Sequence, residues 1–141
     1  MKRRKRKGFT LIEILTVVLI IGMLGAFVAP RLFKGLGRAK GQIAVGKMAI
    51  LEQALGRFYF DCGRFPTDAE GLEALIIMPD ELEGKWNGRY CKQSDLLDPW
   101  GNYFIYFEGS GEIGDKEYEL ISLGADGLEG GEGDDADITN D

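Results

Sequence analysis

Lys7-Gly8-Phe9-Thr10-Leu11-Ile12-Glu13 places a single carboxylate on the fifth residue after a glycine, at the head of a run that is otherwise apolar. Residues 9–29 carry no charged side chain except Glu13. As a helix rising about 1.5 Å per residue, that run reaches about 30 Å, the thickness of a bilayer core. It is long enough to span a membrane. A carboxylate within such a span costs about 2.5–3.5 kcal/mol, less where the side chain reaches the headgroups near the helix end. Glu13 is therefore either an interfacial acid that snorkels or one half of a charge pair, and the second reading needs a cation.

The residues before the run suggest where that cation comes from. Lys2, Arg3, Arg4, Lys5, Arg6 and Lys7 form a basic block that would hold the N-terminus in the cytoplasm. Arg31, Lys34, Arg38 and Lys40 follow the span closely, but six cations against four still favour N-terminus in and C-terminus out. A secretory signal peptide would place its cleavage site after the apolar run, at small residues. Here the run continues straight into a long helical pattern instead. A basic leader followed by Gly8-Phe9-Thr10-Leu11-Ile12-Glu13 resembles the class III signal of type IV pilins and pseudopilins. The resemblance implies a prepilin peptidase that cuts between Gly8 and Phe9, removal of leader residues 1–8, N-methylation of Phe9, and Glu13 as the fifth residue of the mature chain. Cleavage would create an α-ammonium at Phe9, which one subunit can present to the Glu13 carboxylate of a neighbour. Such pairing offsets the cost of burying either charge alone. Glu13 is thus expected to drive subunit assembly.

At 141 residues the chain has room for one domain and an anchor. Its net charge of −6 hides an asymmetry, because setting aside the six leader cations leaves eleven Lys and Arg against twenty-three Asp and Glu. The remainder is strongly acidic, and no Lys/Arg stripe interleaved with aromatics survives to bind nucleic acid. Cys62 and Cys91 would lie in an oxidising compartment, where a disulfide is permitted. A bridge between them would close a loop of about 30 residues and contribute a few kcal/mol; two separate thiols are the alternative.

Beyond the span, Leu32, Phe33, Leu36, Ala39, Ile43, Ile50, Ala54, Leu55 and Phe58 recur by threes and fours, the face of an amphipathic helix. The pattern predicts one long helix over residues 9–59. Residues 9–30 would form its transmembrane and assembly part, residues 31–60 its amphipathic half, and residues 61–141 a small head. Gly22, Gly25 and Pro30 make residues 22–30 its weakest stretch, since proline removes a backbone bond and each glycine costs about 1 kcal/mol. Pilin-like filaments lose helix in the corresponding segment on assembly; a tolerated kink is the plainer reading. Asp61-Cys62-Gly63-Arg64-Phe65-Pro66 should end the helix, and Thr67-Asp68-Ala69-Glu70 matches a capping box opening a short helix over 68–77. Residues 80–97 read as loop, with Trp86 and Tyr90 as core or interface aromatics, and Asp98-Pro99-Trp100-Gly101-Asn102 as a turn. Residues 103–108 and 118–122 suggest an antiparallel hairpin around the glycine-rich 109–114. The expected fold class is α+β, a long N-terminal helix packed against a small head with a short helix and an antiparallel hairpin or small sheet.

The tail from residue 124 has no apolar periodicity. Six carboxylates crowd into residues 126–137 among glycines. Calcium takes six to eight oxygens from carboxylates and carbonyls, but the spacing does not fit an EF-hand loop, and composition alone favours a solvated tail. Four ordered motifs alter that reading: Gly8 to Glu13, Phe65-Pro66-Thr67 with Glu70-Gly71-Leu72-Glu73-Ala74-Leu75, Asp98-Pro99-Trp100-Gly101-Asn102, and Ser122-Leu123-Gly124-Ala125-Asp126-Gly127 running to Asp137-Ile138. Together they resemble the major pseudopilin family of the type II secretion system over nearly the whole chain. The resemblance implies a structural calcium in a loop over about 122–138, held by Asp126 and Asp137 with the Leu123 carbonyl. That family often has an acid where this chain has Ala136; Asp135 is the preferred substitute, with Glu132 and Asp134 as alternatives. A head of about 80 residues has little core, and small domains commonly rely on a metal or disulfide.

No catalytic residues are expected. The chain has no histidine and no GxSxG nucleophile motif. The resemblance implies a structural subunit that polymerises with itself into a periplasmic pseudopilus, driving export of folded proteins across the outer membrane. Its implied setting is the inner membrane of a Gram-negative bacterium, single-pass, with the head in the periplasm. Implied partners are minor pseudopilins, the inner-membrane assembly platform, the prepilin peptidase, the outer-membrane secretin and inner membrane lipid. A type IV or competence pilin is the alternative, and a monomeric anchored calcium-binding protein a third reading.

Overall fold

A computed structural model describes residues 8–109 and 116–140. The basic block before Gly8 and most of the glycine-rich hairpin link lie outside them.

The chain divides into two compact units between Leu36 and Gly37. One helix, α1 (Leu11–Cys62), supplies residues to both. It continues through Pro30, so proline and the glycines before it are accommodated without a break. It ends three residues later than the pattern predicts. Gly63 takes φ +78° and its amide donates to the Tyr59 carbonyl at 2.8 Å, the left-handed closure that glycine makes without steric penalty.

Within the second unit, the core-facing stripe of α1 differs from the expected one. Ala54, Leu55 and Phe58 are buried as anticipated, but Ile43 and Ile50 are 52% and 45% exposed. The buried line is Gly37, Ala44, Met48, Leu51, Leu55, Phe58 and Cys62, a spacing of alternating threes and fours once Gly41 is included. Its first members are too small to register as apolar periodicity. That smallness lets the C-terminal segment close on the helix: Ile138 reaches to within 3.9 Å of where a Cβ on Gly41 would stand.

Thr67 and Glu70 form the expected capping box, with Thr67 N donating to Glu70 Oε2 at 2.8 Å and Glu70 N to Thr67 Oγ1 at 3.4 Å. What it opens is a turn leading into a 3₁₀ segment, Gly71–Leu75, rather than an α-helix over 68–77. Leu72, Leu75 and Ile76 are buried in the core. The stretch read as loop holds two further 3₁₀ turns, Asp80–Leu82 and Gln93–Leu96. Trp86 and Tyr90 pack there as expected, ring centroids 5.8 Å apart and edge-on. Tyr90 also stands edge-on to Phe58 and donates its hydroxyl to Asp61 at 3.0 Å.

The hairpin forms from β1 (Ile105–Glu108) and β2 (Tyr118–Ser122), antiparallel with Tyr106 opposite Leu120. A third strand, β3 (Ile138–Thr139), lies within the tail that shows no periodicity and pairs antiparallel with β2, giving the order β1-β2-β3. Phe104, Tyr106, Leu120 and Ser122 turn inward, while Phe107 faces out. The α+β class holds, and β3 extends the hairpin into the small antiparallel sheet that the expectation allowed.

Candidate functional site: helix N-terminus and acidic loop

Two regions stand out from the sequence, and the structure organises each through further residues. At the start of α1, Thr10 and Glu13 form a second capping box. The Thr10 amide and hydroxyl donate to Glu13 Oε2 at 2.8 and 3.0 Å, and the Glu13 amide donates back to Thr10 Oγ1 at 3.3 Å. The signal was present, since Thr10-x-x-Glu13 is the same T-x-x-E pattern recognised at Thr67. Both bonds to the carboxylate fall on Oε2, and Oε1 accepts none among the described residues. Phe9 is exposed beside it. The apolar stretch of this helix has mean hydropathy 2.6 with none of it buried, long and apolar enough to cross a membrane.

The acidic loop is closed on itself. The Ala125 amide donates to the Asp134 carbonyl at 2.9 Å, and the Gly130 amide to Asp137 Oδ2 at 2.8 Å. Asp126 Oδ1 accepts the Leu128 amide at 3.0 Å, an Asx turn. Gly124 and Gly131 clasp the backbone of Asp135. A Cβ on Gly124, at φ +66°, would stand 2.8 Å from the Asp135 carbonyl carbon, and one on Gly131 only 2.5 Å from its oxygen.

The loop is bolted to the turn before the sheet. Asp98 is buried; its Oδ1 accepts the Trp100 and Asn102 amides, both at 2.9 Å, and its Oδ2 accepts the Ser122 hydroxyl at 2.7 Å. Asn102 Nδ2 then donates to the Gly124 carbonyl at 3.1 Å. The Asp98 turn and the loop, read from the sequence as separate motifs, are thus one hydrogen-bonded unit. An acid at the first position of a Pro-containing turn was the available sign for Asp98; nothing local signalled its pairing with Ser122.

The structure separates the three acids offered to complete a calcium site. Asp134 folds back onto α1, where a Cβ on Gly37 would clash with its carboxylate. Glu132, Asp134 and Asp135 are all exposed. Among the described residues no three acidic side chains gather as a metal cage. A cation here would rely on carbonyls as well as on the second oxygens of Asp126 and Asp137. These are all hard oxygen donors, the kind calcium takes.

Cys62 and Cys91 are free thiols, and the bridge permitted by the sequence is not formed. Burial raises the pKa of both, that of Cys91 to about 11, so neither is a ready thiolate at neutral pH.

Comparison with known proteins settles the family. The description "Type II secretion system (T2SS), protein G" matches residues 31–141, and the prokaryotic N-terminal methylation motif matches residues 3–29. The chain belongs to the type II secretion system protein G family. It is 43% identical to the type II secretion system core protein G of Vibrio cholerae, over 99% of this chain and 94% of that one. The core protein G of Pseudomonas aeruginosa is 40% identical, over 99% and 98%. The fold is that of a major pseudopilin: the crystal structure of the one from the type 2 secretion system of enterohaemorrhagic Escherichia coli aligns with TM-score 0.61 at 27% identity, covering 79% of this chain and 94% of that chain.

Proposed function

We propose that this protein G family member is the structural subunit that polymerises into a periplasmic pseudopilus and so drives folded proteins across the outer membrane. The observation that carries the reading is Glu13, the one carboxylate of the unburied apolar stretch of α1, with Oε2 held by Thr10 and no bond to Oε1 among the described residues. Such a group is costly in a membrane unless a cation reaches it. Cleavage between Gly8 and Phe9 supplies one, an α-ammonium that a neighbouring subunit brings to Glu13, and methylation of Phe9 keeps that charge. The chain is then single-pass in the inner membrane with its head in the periplasm. Minor pseudopilins, the assembly platform, the prepilin peptidase and the secretin are its partners there. Its chemistry is assembly rather than turnover of a substrate.

Within the head, calcium is proposed to close the acidic loop through Asp126, Asp137, Asp135 and the Leu123 carbonyl. What supports this is the loop's closed backbone and six carboxylates with no Lys or Arg after Lys116 to neutralise them. Bound calcium supplies that neutralisation.

Deleting the gene and comparing secreted proteins in the medium with surface pili tests the functional reading. Lost secretion with intact pili is expected. Intact secretion with lost pili would replace the reading with that of a type IV pilin.

A further inference from the structure

The face of α1 turned away from the head core is flanked by a groove whose character is opposite to that of the acidic loop. One part, about 710 Å³, is lined by Gly56, Arg57, Phe60, Arg89 and Tyr90 among others. An adjoining part of about 460 Å³ shares Arg57, Arg89 and Tyr90 and adds Ile50 and Lys92. Phe60 on its rim is 88% exposed. Two carboxylates also line it, but both accept bonds from within the head: Asp61 from the Tyr90 hydroxyl and Asp95 from the Lys92 amide. Arg57 donates to the Tyr90 carbonyl. Arg89 and Lys92 have no ion-pair partner among the described residues, so their charge is left to solvent.

A surface of complementary character lies elsewhere on the same chain. Leu128, 67% exposed, is held at the tip of the acidic loop by the Asp126 turn, with Glu129 exposed next to it. Neither is assigned to the calcium ligands. One patch offers an aromatic ledge and cations; the other offers an aliphatic side chain and an anion.

We infer that the groove between α1 and residues 87–95 is a socket for the Leu128-Glu129 loop tip of a second copy of this chain, Leu128 resting on Phe60 and Glu129 meeting Arg89 and Lys92. Because the two patches are different surfaces, the contact is heterologous, the type that propagates an open helical filament instead of closing a dimer. The inference rests on the proposed self-assembly and adds which head surfaces meet. Glu129 against two cations would also steer encounter and weaken with salt.

The test places a photo-crosslinking amino acid at Phe60 of the full chain in filament-producing cells, with crosslinked peptides mapped. Crosslinks to the peptide containing Leu128 of another copy are expected. Filaments that form but crosslink through another surface, such as a neighbour's α1, or to a different protein, overturn the socket and leave the assembly reading standing. Absence of filaments from the unsubstituted chain overturns both. Gly56→Leu gives a second reading, since a side chain there enters open space and leaves the head intact. It should cut filament yield at least tenfold with an unchanged melting temperature. Arg89→Glu should do the same and recover when combined with Glu129→Arg. Normal yield from either single variant, or no recovery in the double, contradicts the socket.

Discussion

Asp98 Oδ2 accepts the hydroxyl proton of Ser122 at 2.7 Å, with both side chains buried between the turn before β1 and the end of β2. Removing that acceptor leaves the Ser122 hydroxyl and the Trp100 and Asn102 amides without a partner. Asp98→Ala is expected to destabilise the head by about 2–4 kcal/mol. Asp98→Asn keeps an acceptor for the two amides and should cost about half as much. Urea unfolding of the detergent-solubilised chain distinguishes them; equal losses would show that the amide bonds carry little.

Gly124 joins that turn to the loop through its carbonyl and cannot accept a side chain without both strained φ and a clash with the Asp135 backbone. Gly124→Ala should therefore cost about 1–3 kcal/mol and open the loop to protease first. Early cleavage within residues 124–137 is the expected readout, and unchanged protection would contradict the clasp.

Arg64 grips both carboxylate oxygens of Glu70 at 2.7 Å and holds the Glu70 pKa at about 2, against an ordinary 4.5. Because the folded-state pKa is depressed, this stabilisation is fully present above about pH 4.5. It is lost as pH falls from there toward 2, where the unfolded chain takes up the proton first. After solvent screening of a partly exposed pair, about 1–2 kcal/mol is expected. Glu70→Gln should flatten the acid limb of the stability curve by that amount; an identical acid limb would mean the pair contributes nothing net.

Much of this architecture was legible because it rests on strong local signals. The apolar run and the Thr67 capping box are each written in adjacent residues. The core-facing stripe of α1 was not, because Gly37, Gly41 and Ala44 contribute room instead of apolar area, and periodicity counts only the latter. The strand Ile138–Thr139 escaped for a related reason: two residues carry no period, and their pairing is fixed by β2. At the functional sites, residue types were readable and partners were not. Asp98 reads as a turn former, and only the fold brings it to Ser122.

If calcium closes the acidic loop, free ligand at about 100 times its Kd should add about 2.7 kcal/mol, raising the melting temperature by about 10 °C or more. Asp126→Ala and Asp137→Ala should abolish that shift, while Asp134→Ala, whose carboxylate lies on Gly37, should keep it. A melting curve unmoved by chelator would refute the calcium assignment.

Glu13 is proposed to draw subunits together through a cation delivered by a neighbour. The most direct measurement compares Glu13→Leu with the unsubstituted chain for membrane insertion and for filaments recovered by shearing and sedimentation. Full insertion, intact cleavage after Gly8 and no filaments are expected, since the apolar span is preserved and only the pairing group is gone. Normal filament yield from Glu13→Leu would contradict it.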